Sequence, residues 1–536
     1  MSKHTVSRRS FLQLGAQAAA VGSALAQGPN QGATEDLVVE ATIMELQRAM
    51  QSGQLTARQL VSIYLERIER LDRTGPTLRS IIEVNGRRAL AVADELDMER
   101  AKGHVRGPLH GIPIVLKDNI DTEDMMTTAG SLGLVGPHPP QDATLTRRLR
   151  RAGAIILAKT NLSEWANFRG NRSISGWSGR GRQGLNPYVL DRSPCGSSSG
   201  SAAAVSASLA AASLGTETNG SIVCPSSVNG CAAIKPSVGL TSRAGVIPIA
   251  HSQDTVGPIC RTVADAAVVL GALTGIDDRD EATLKSDGHF FHDYTQFLDP
   301  NGLKGARIGI ARQFFGASEH IDRIAIPAID VLRDLGAEIV DPANFANLAA
   351  INGAPSTIVL EYEFKNDLNL YLASRPDLQV HTLQDLIDFN NEHAGEEMPY
   401  FLQQLFIESQ ARGPLTDQLY IDSLATDLRV SREEGIDELM NRLNLDALFA
   451  PTRNPAWTID LINGDRSMGG SSTPAALAGY PLLTLTAGYA FDTLPVGVTF
   501  MGRRWSEPAL IKFAYAFEQA IQPRRAPQFL PTLELP

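Results

Sequence analysis

The chain has 536 residues, of which 43% are hydrophobic and 20% charged, close to the average of a soluble globular protein. Its formal net charge is -11 without strongly clustered charges, which argues against a nucleic-acid partner. Beyond the N-terminal segment no run of eighteen apolar residues occurs, so the sequence predicts no membrane span.

The N-terminal segment has the features of an export signal. Arg8 and Arg9 are followed by a weakly apolar Ala/Gly-rich stretch and by an Ala-Leu-Ala site that ends at Ala26. This pattern is typical of a twin-arginine signal. We therefore expect residues 1–26 to be a signal peptide read by the twin-arginine export machinery, and residues 27–536 to form a single periplasmic or secreted domain.

The following segments alternate between helical and strand patterns. A capping box at Thr56 and Gln59 begins an amphipathic helix, and apolar runs at residues 111–116 and 154–158 predict buried strands. The alternation continues with a helix at 145–152, a helix that begins near Thr262, a strand at 307–311, a helix at 321–335 and a strand at 447–450. Buried strands between helices predict an α/β fold whose sheet is covered by helices on both faces.

Residues 345–445 interrupt this alternation. The stretch is more polar and mostly helical in pattern, so we expect a helical insertion or cap over the sheet. Such connections often determine which substrate an enzyme prefers.

Residues 193–222 are as rich in serine, glycine and alanine as a flexible linker. Two Gly-Ser clusters, however, enclose an Ala/Val/Leu run over residues 202–214, which we expect to be a buried helix. Glycines in the clusters allow backbone N–H groups to approach a ligand. The segment therefore predicts two ligand-facing loops joined by one buried helix.

A serine in such a loop becomes a nucleophile only with a base within hydrogen-bond distance and with donors for the oxyanion. None of the ten histidines lies in an arrangement typical of a Ser/His/Asp triad or of a metal site, and we expect neither a metal nor a cofactor. Lys117 is the remaining candidate base. It ends an apolar run, and burial there would favour its neutral form.

Four motifs contain the candidate lysine and the serine- and glycine-rich loops. They are GPLHGIPIVLKDN (residues 107–119), CGSSSGSAAA (195–204), GTETNGSI (215–222) and KPSVG (235–239). Together they resemble the amidase signature family over essentially the whole chain after the signal. The motifs NLSEWANFRGN (161–171) and SISGWS (173–178) are similar to the branch that hydrolyses C-terminal amides of peptides and releases ammonia.

The resemblance implies one large α/β domain with a mixed central sheet and a Ser/Ser/Lys triad. Ser221 is the expected nucleophile, Ser197 the bridging serine, and Lys117 the base that accepts protons through Ser197. The resemblance also implies a cis peptide bond between Gly196 and Ser197. The expected oxyanion hole consists of the backbone N–H groups of Thr218, Asn219, Gly220 and Ser221.

The chain departs from the family pattern around the nucleophile. Asn219 and Ser199 replace frequent glycines, and asparagine tolerates the left-handed backbone better than most residues. Relatives that act on carboxylate-bearing substrates place an arginine soon after the nucleophile, where this chain has Ile222. We therefore expect a neutral group beside the scissile amide. Arginines that could still reach it from elsewhere are Arg169, Arg172 and Arg453.

Two further groups of residues near the motifs have alternative interpretations. Trp165, Phe168 and Trp177 are either core residues or walls of a substrate cleft. Cys195 and Cys224 flank the loops, and a cysteine nucleophile is an alternative to a serine one. Since no histidine motif accompanies either thiol, we expect both to be small packed residues. One disulfide is compatible with four cysteines, and the sequence does not assign it.

The expected activity is hydrolysis of linear amides, foremost the C-terminal amide of peptides. A broad aryl or alkyl amidase would use the same triad. An amidotransferase-type subunit conflicts with the export signal, and an inactive exported binding protein conflicts with the intact triad. The sequence does not indicate the oligomeric state.

Overall fold

Eleven strands form one mixed sheet in the computed structural model, which describes residues 35–466 and 469–534. The strands are β1 (Ile81–Val84), β2 (Pro113–Lys117), β3 (Ile155–Thr160), β4 (Ala212–Glu217), β5 (Ala232–Lys235), β6 (Thr255–Cys260), β7 (Arg307–Ile310), β8 (Glu338–Val340), β9 (Ala447–Pro451), β10 (Leu482–Ala490) and β11 (Leu494–Met501). Their order across the sheet is β1-β3-β2-β4-β6-β5-β10-β11-β9-β7-β8. The predicted signal peptide, residues 1–26, lies outside the described residues.

The sheet contains two parallel blocks within an otherwise antiparallel arrangement. β2 pairs in parallel with β3 and β4, and β7 pairs in parallel with β8 and β9. The other pairs are antiparallel. Every residue of β2, β3 and β4 is buried, and since successive side chains of a strand point to opposite faces, both faces are covered there. The α/β class with a mixed sheet is thereby confirmed.

Helices connect and cover these strands. The α-helices of the described chain are α1 (Ile43–Gln51), α2 (Ala57–Arg67), α3 (Gly86–Ala101), α4 (Thr144–Arg151), α5 (Ser199–Ser206), α6 (Val223–Val228), α7 (Val263–Leu273), α8 (Glu319–Asp334), α9 (Leu348–Asn352), α10 (Ser356–Ala373), α11 (Leu383–Glu392), α12 (Ala394–Glu397), α13 (Gln404–Gln410), α14 (Gln418–Leu428), α15 (Asp437–Arg442), α16 (Thr473–Ala478) and α17 (Glu507–Ile521). None of these helices is long and apolar enough to cross a membrane.

The helix starts predicted from capping residues are confirmed. At the start of α2, the Thr56 hydroxyl accepts a hydrogen bond from the Gln59 N–H, and the Gln59 side chain accepts one from the Thr56 N–H at 2.9 Å. α7 begins directly after Thr262, whose side chain accepts a hydrogen bond from the Asp265 N–H. These bonds satisfy backbone donors that the first helical turn leaves without a partner.

The predicted buried helix over residues 202–214 is wrong in its second half. α5 ends at Ser206, the chain turns, and from Ala212 it continues as β4. There Ser213 and Leu214 pair with β2 on one side and with β6 on the other. A continuous run of small buried residues has no hydrophobic periodicity by which a helix could be told from a strand. Residues 212–217 are a strand because they pair with β2 and β6.

Residues 345–445 contain α9 to α15 and no strand. Phe364, Leu368 and Phe406 from this segment form a second hydrophobic cluster together with Trp165 and Phe168. The helical segment therefore packs directly on the loop after β3, which reaches the site described below.

Candidate active site

Lys117 is the last residue of β2 and is completely buried. Its Nζ lies 2.7 Å from the Ser197 hydroxyl and 2.8 Å from the Thr216 hydroxyl. Burial lowers the pKa of Lys117 to about 7, although the negative charges of Asp254 and Glu217 act in the opposite direction. A substantial fraction of Lys117 is therefore neutral near pH 7 and able to accept a proton.

The loop before α5 presents Ser197 to this lysine. The peptide bond between Gly196 and Ser197 is cis, as the family resemblance implied. The Ser197 carbonyl accepts a hydrogen bond from the Ser163 N–H at 3.0 Å, which ties this loop to the end of β3. Ser197 is thus held by a backbone contact on one side and by Lys117 on the other.

Ser221 lies at the start of the turn that precedes α6, with its side chain at a cleft. The Ser198 N–H donates a hydrogen bond of 3.1 Å to the Ser221 carbonyl, so the two serine-bearing loops are directly joined. Within the described chain, the Ser221 hydroxyl forms no hydrogen bond with Ser197 or any other side chain. Catalytic hydrogen bonds often tighten only when substrate is bound.

The backbone N–H groups of residues 218–221 point to no acceptor within the described chain. Gly220 provides the left-handed turn of this loop, with φ at 82°. Asn219 does not adopt positive φ, so the conformational tolerance expected of its asparagine is not what preserves the loop. Instead, its side chain accepts a hydrogen bond of 2.7 Å from Ser472 and donates one to Thr473 at the start of α16. Four neighbouring donors are thereby available to an anionic oxygen.

Two carboxylates that the sequence analysis missed shape this loop. Glu217 Oε2 accepts hydrogen bonds from the N–H groups of Ile222 and Val223, at 2.7 and 3.0 Å. Asp254 accepts one of 2.6 Å from the Thr218 hydroxyl. Glu217 lies inside the GTETNGSI motif and could have been noticed there, whereas nothing in the sequence around Asp254 indicates its role.

Cys195 and Cys224 form a disulfide, with their Cα atoms 6.1 Å apart. Both are buried, packed residues, as expected, and the bridge that the sequence left unassigned joins them across a separation of 29 residues. In this state neither sulfur can act as a thiolate nucleophile. The other two cysteines, Cys231 and Cys260, are buried free thiols, and burial raises the pKa of Cys231 to about 11.

The cleft at Ser221 has a volume of about 260 Å³ and adjoins a second cavity of about 370 Å³. Phe168 lines the cleft at Ser221 and packs edge-on against Phe364. Trp165 and Trp177 do not line it and are core residues. Their rings pack against residues of the helical segment, Trp165 on Phe406 and Trp177 on Tyr400 and Phe401.

Among the three candidate arginines, the structure places Arg453 in this cleft. Arg169 is completely buried, with its Nε 3.1 Å from Glu164 and its guanidinium over the Phe401 ring. Arg172 is exposed and lies outside the cleft lining. An arginine from a distant segment therefore reaches the cleft at Ser221.

His251, Glu363 and Asp367 meet at the rim of the second cavity. The His251 ring lies 2.8 Å from Asp367 and 3.4 Å from Glu363. Burial lowers the pKa of His251, but the hydrogen bond with Asp367 and the charge of Glu363 outweigh it and raise the pKa overall. These contacts join the loop before β6 to α10.

The comparisons with known proteins agree with this geometry. The sequence matches the Amidase family over residues 59–511. The fold is similar to the native peptide amidase from Stenotrophomonas maltophilia, with a TM-score of 0.87 and 50% identity over 91% of this chain and 99% of that chain. It is equally similar to a peptide amidase in complex with the competitive inhibitor chymostatin, with a TM-score of 0.88 and 50% identity. A probable amidase of Arabidopsis thaliana is 41% identical over 502 residues, which cover 92% of each chain.

Fold and site together define a hydrolase that acts on carbon–nitrogen bonds of amides other than peptide bonds. The chain belongs to the amidase signature family.

Replacing both Cys195 and Cys224 by alanine should destabilise the protein by about 3 to 4 kcal/mol, because the unfolded chain loses a cross-link across 29 residues. The thermal unfolding midpoint checks this, with Cys231→Ala as the control that removes a buried thiol but no cross-link. Thiol titration of the denatured, unreduced wild type should give two thiols per chain. Four thiols there, or an unchanged midpoint in the double variant, would contradict the assignment.

Proposed function

We propose that this protein hydrolyses the C-terminal amide of peptides to the free peptide acid and ammonia. The chemical part rests on the short contact between Lys117 and Ser197. Beside it lies a loop whose four N–H groups have no acceptor among residues 35–466 and 469–534. The peptide part is supported by the 50% identity with peptide amidases over almost their full length.

In the proposed reaction, neutral Lys117 accepts the proton of Ser197, and Ser197 accepts the proton of Ser221. The Ser221 oxygen attacks the amide carbon, and the N–H groups of residues 218–221 stabilise the negative oxygen of the tetrahedral intermediate. The relay then returns the proton to the departing nitrogen, and ammonia leaves. Water repeats the sequence on the acyl-enzyme, which releases the acid and restores Ser221.

The relay is possible because each serine hydroxyl can donate one hydrogen bond and accept others. Lys117 serves first as base and then as acid, for which a pKa of about 7 is well suited near neutral pH. Thr216 accepts hydrogen bonds from both Lys117 and Asn119, which fixes the amine toward Ser197.

Ammonia release from an N-blocked dipeptide amide tests the proposal. Ser221→Ala should reduce kcat on the order of 1000-fold or more, and Lys117→Ala and Ser197→Ala should each cause a large loss. The matched control is Ser206→Ala, which removes a buried hydroxyl at the opposite end of α5 that contacts Arg524 and no residue of the proposed relay. Activity on a simple aryl amide but not on the peptide amide would favour a broad amidase, and ligand binding without turnover of either would indicate a binding protein.

The pH dependence of kcat/KM should follow the protonation of Lys117. Since the neutral amine is the reactive form, the rate should fall about tenfold per pH unit below pH 7 and level off above it. Glu217→Gln should move this acidic limb to lower pH, because the carboxylate charge raises the pKa of Lys117. Glutamine can retain the two hydrogen bonds accepted by Oε2. Asp492→Asn, at an exposed carboxylate, is the control, and an unmoved limb in Glu217→Gln would exclude Lys117 as the titrating base.

We also propose that the protein is exported by the twin-arginine machinery and acts in the periplasm or outside the cell. The Arg8-Arg9 segment motivates this, and the Cys195–Cys224 disulfide supports it because disulfides persist mainly in oxidising compartments. In a bacterium with a twin-arginine pathway, Arg8→Lys/Arg9→Lys should leave the protein in the cytoplasmic fraction. Export of this variant at the wild-type level, measured by fractionation and immunoblotting, would refute the proposal.

A further inference from the structure

The cleft at Ser221 contains one positive and one negative side chain, Arg453 and Asp465, among the described residues that line it. Both belong to the segment that follows β9, which contributes no residue to the Lys117, Ser197 and Ser221 constellation. Because they line the same cleft as Ser221, a substrate bound at Ser221 would lie against them. Their chemistry bears on which acyl groups the site accepts.

Arg453 lies in the cleft and has no hydrogen-bond partner among the residues that the structure describes. Its Nε is buried and has no partner, and in the described part of the chain its guanidinium donates to no acceptor. The group lies near the Trp457 ring, with 5.9 Å between Cζ and the ring centre. Its Nη1 is 3.9 Å from the position that a Cβ on Gly220 would occupy, so it stands beside the proposed oxyanion loop. Because its donors are not used by the described residues, the guanidinium can donate to an acceptor of a ligand bound in the cleft at Ser221.

Asp465 is fixed on the same wall by two hydrogen bonds. Its Oδ1 accepts from the Trp457 indole N–H at 3.1 Å, and its Oδ2 accepts from the Ser175 N–H at 3.0 Å. No salt bridge within 4.0 Å joins this carboxylate to Arg453, although the two charges influence each other. Each carboxylate oxygen can accept a further hydrogen bond. The wall therefore offers one acceptor and one set of donors, and both charged groups lie beside Trp457.

A lone carboxylate or a lone ammonium fits this pair poorly, because each would be attracted by one charge and repelled by the other. A peptide group suits it better, since it is neutral and carries both an N–H donor and a carbonyl acceptor. In a peptide C-terminal amide, one such group immediately precedes the scissile amide. Simple aryl and alkyl amides lack it.

We propose that Arg453 and Asp465 form a subsite for the peptide group that precedes the scissile amide, in which Arg453 donates to its carbonyl and Asp465 accepts its N–H. The two residues determine specificity and take no part in the proton relay. The proposal rests on the proposed peptide amidase function and refines its substrate class to amides that carry an acylated α-nitrogen.

The test compares two substrates that differ by this group alone, N-acetyl-L-leucinamide and 4-methylpentanamide. Arg453→Met should lower kcat/KM for the first on the order of 10- to 100-fold, as for loss of a charged hydrogen bond, and change the second by less than about threefold. Asp465→Asn should show the same selectivity. The control is Arg172→Met, at an exposed arginine outside the cleft, and unfolding midpoints verify that each variant is folded.

A third substrate separates the two residues. In 2-acetoxy-4-methylpentanamide an ester oxygen replaces the peptide nitrogen, so the N–H is absent while the carbonyl remains. In the wild type, kcat/KM should be higher for N-acetyl-L-leucinamide than for this ester. The ratio of the two values should become smaller in Asp465→Asn, because the acceptor for the N–H is altered. It should stay the same in Arg453→Met. If both variants lowered kcat/KM equally for all substrates, the subsite would be overturned. It would also be overturned if neither variant lowered kcat/KM for N-acetyl-L-leucinamide.

Calorimetric binding to Ser221→Ala distinguishes failure of this inference from failure of the proposed function. If wild type releases ammonia from neither amide, the proposed function fails. Binding of N-acetyl-L-leucinamide that is tighter than that of 4-methylpentanamide, and that weakens when Arg453→Met is added, would still support the subsite. Equal binding of both amides would overturn it.

Discussion

The whole site depends on the burial of one lysine at the end of a central strand. Lys117 is surrounded by the parallel pairs of β2 with β3 and β4, and removal from water disfavours its ammonium form. Two carboxylates, Glu217 and Asp254, limit that effect without forming a salt bridge with it. Asp254 accepts a hydrogen bond from Thr218 in the loop at residues 218–221, and Glu217 accepts two from Ile222 and Val223 directly after it. One pair of negative charges therefore both shapes the proposed oxyanion hole and adjusts the proposed base.

The two serine-bearing loops behave as one structural unit because several contacts join them. A backbone hydrogen bond links Ser198 to Ser221, and the disulfide links Cys195 to Cys224 just outside these positions. Gly200 allows α5 to lie close to its neighbours, since a Cβ there would be 2.3 Å from the Ser80 carbonyl oxygen. A relay through two hydroxyls requires positions held within fractions of an ångström, and such duplicated constraints are a physical means of holding them.

The sequence predicted those helices and strands that depend on contacts between residues close together in the chain. The capping box at Thr56 and the apolar run that ends at Lys117 became the expected helix and strand. The run at residues 202–214 was misassigned because burial on all sides removes the periodicity that distinguishes helix from strand. The disulfide, the Asp254 contact with Thr218 and the position of Arg453 depend on contacts between distant segments, and no spacing in the sequence encodes them. Lys117 was a candidate base from its apolar run alone, whereas the roles expected of Ser197 and Ser221 came only from the ordered motifs and the family resemblance.

This division between local and distant contacts has a consequence for how such an enzyme can change. The lysine, both serines and the donor loop come from residues 117–221 and support one another through burial and backbone bonds, so a substitution among them disturbs several functions at once. The cleft wall with Arg453 and Asp465 comes from the segment after β9. Phe168, from the loop after β3, also lines the cleft and packs on Phe364 of the helical segment. Under the proposed roles, substitutions on that wall would alter substrate recognition while the buried Lys117 keeps its surroundings. The two parts still meet at Asn219, which hydrogen-bonds with Ser472 and Thr473 of the segment after β9.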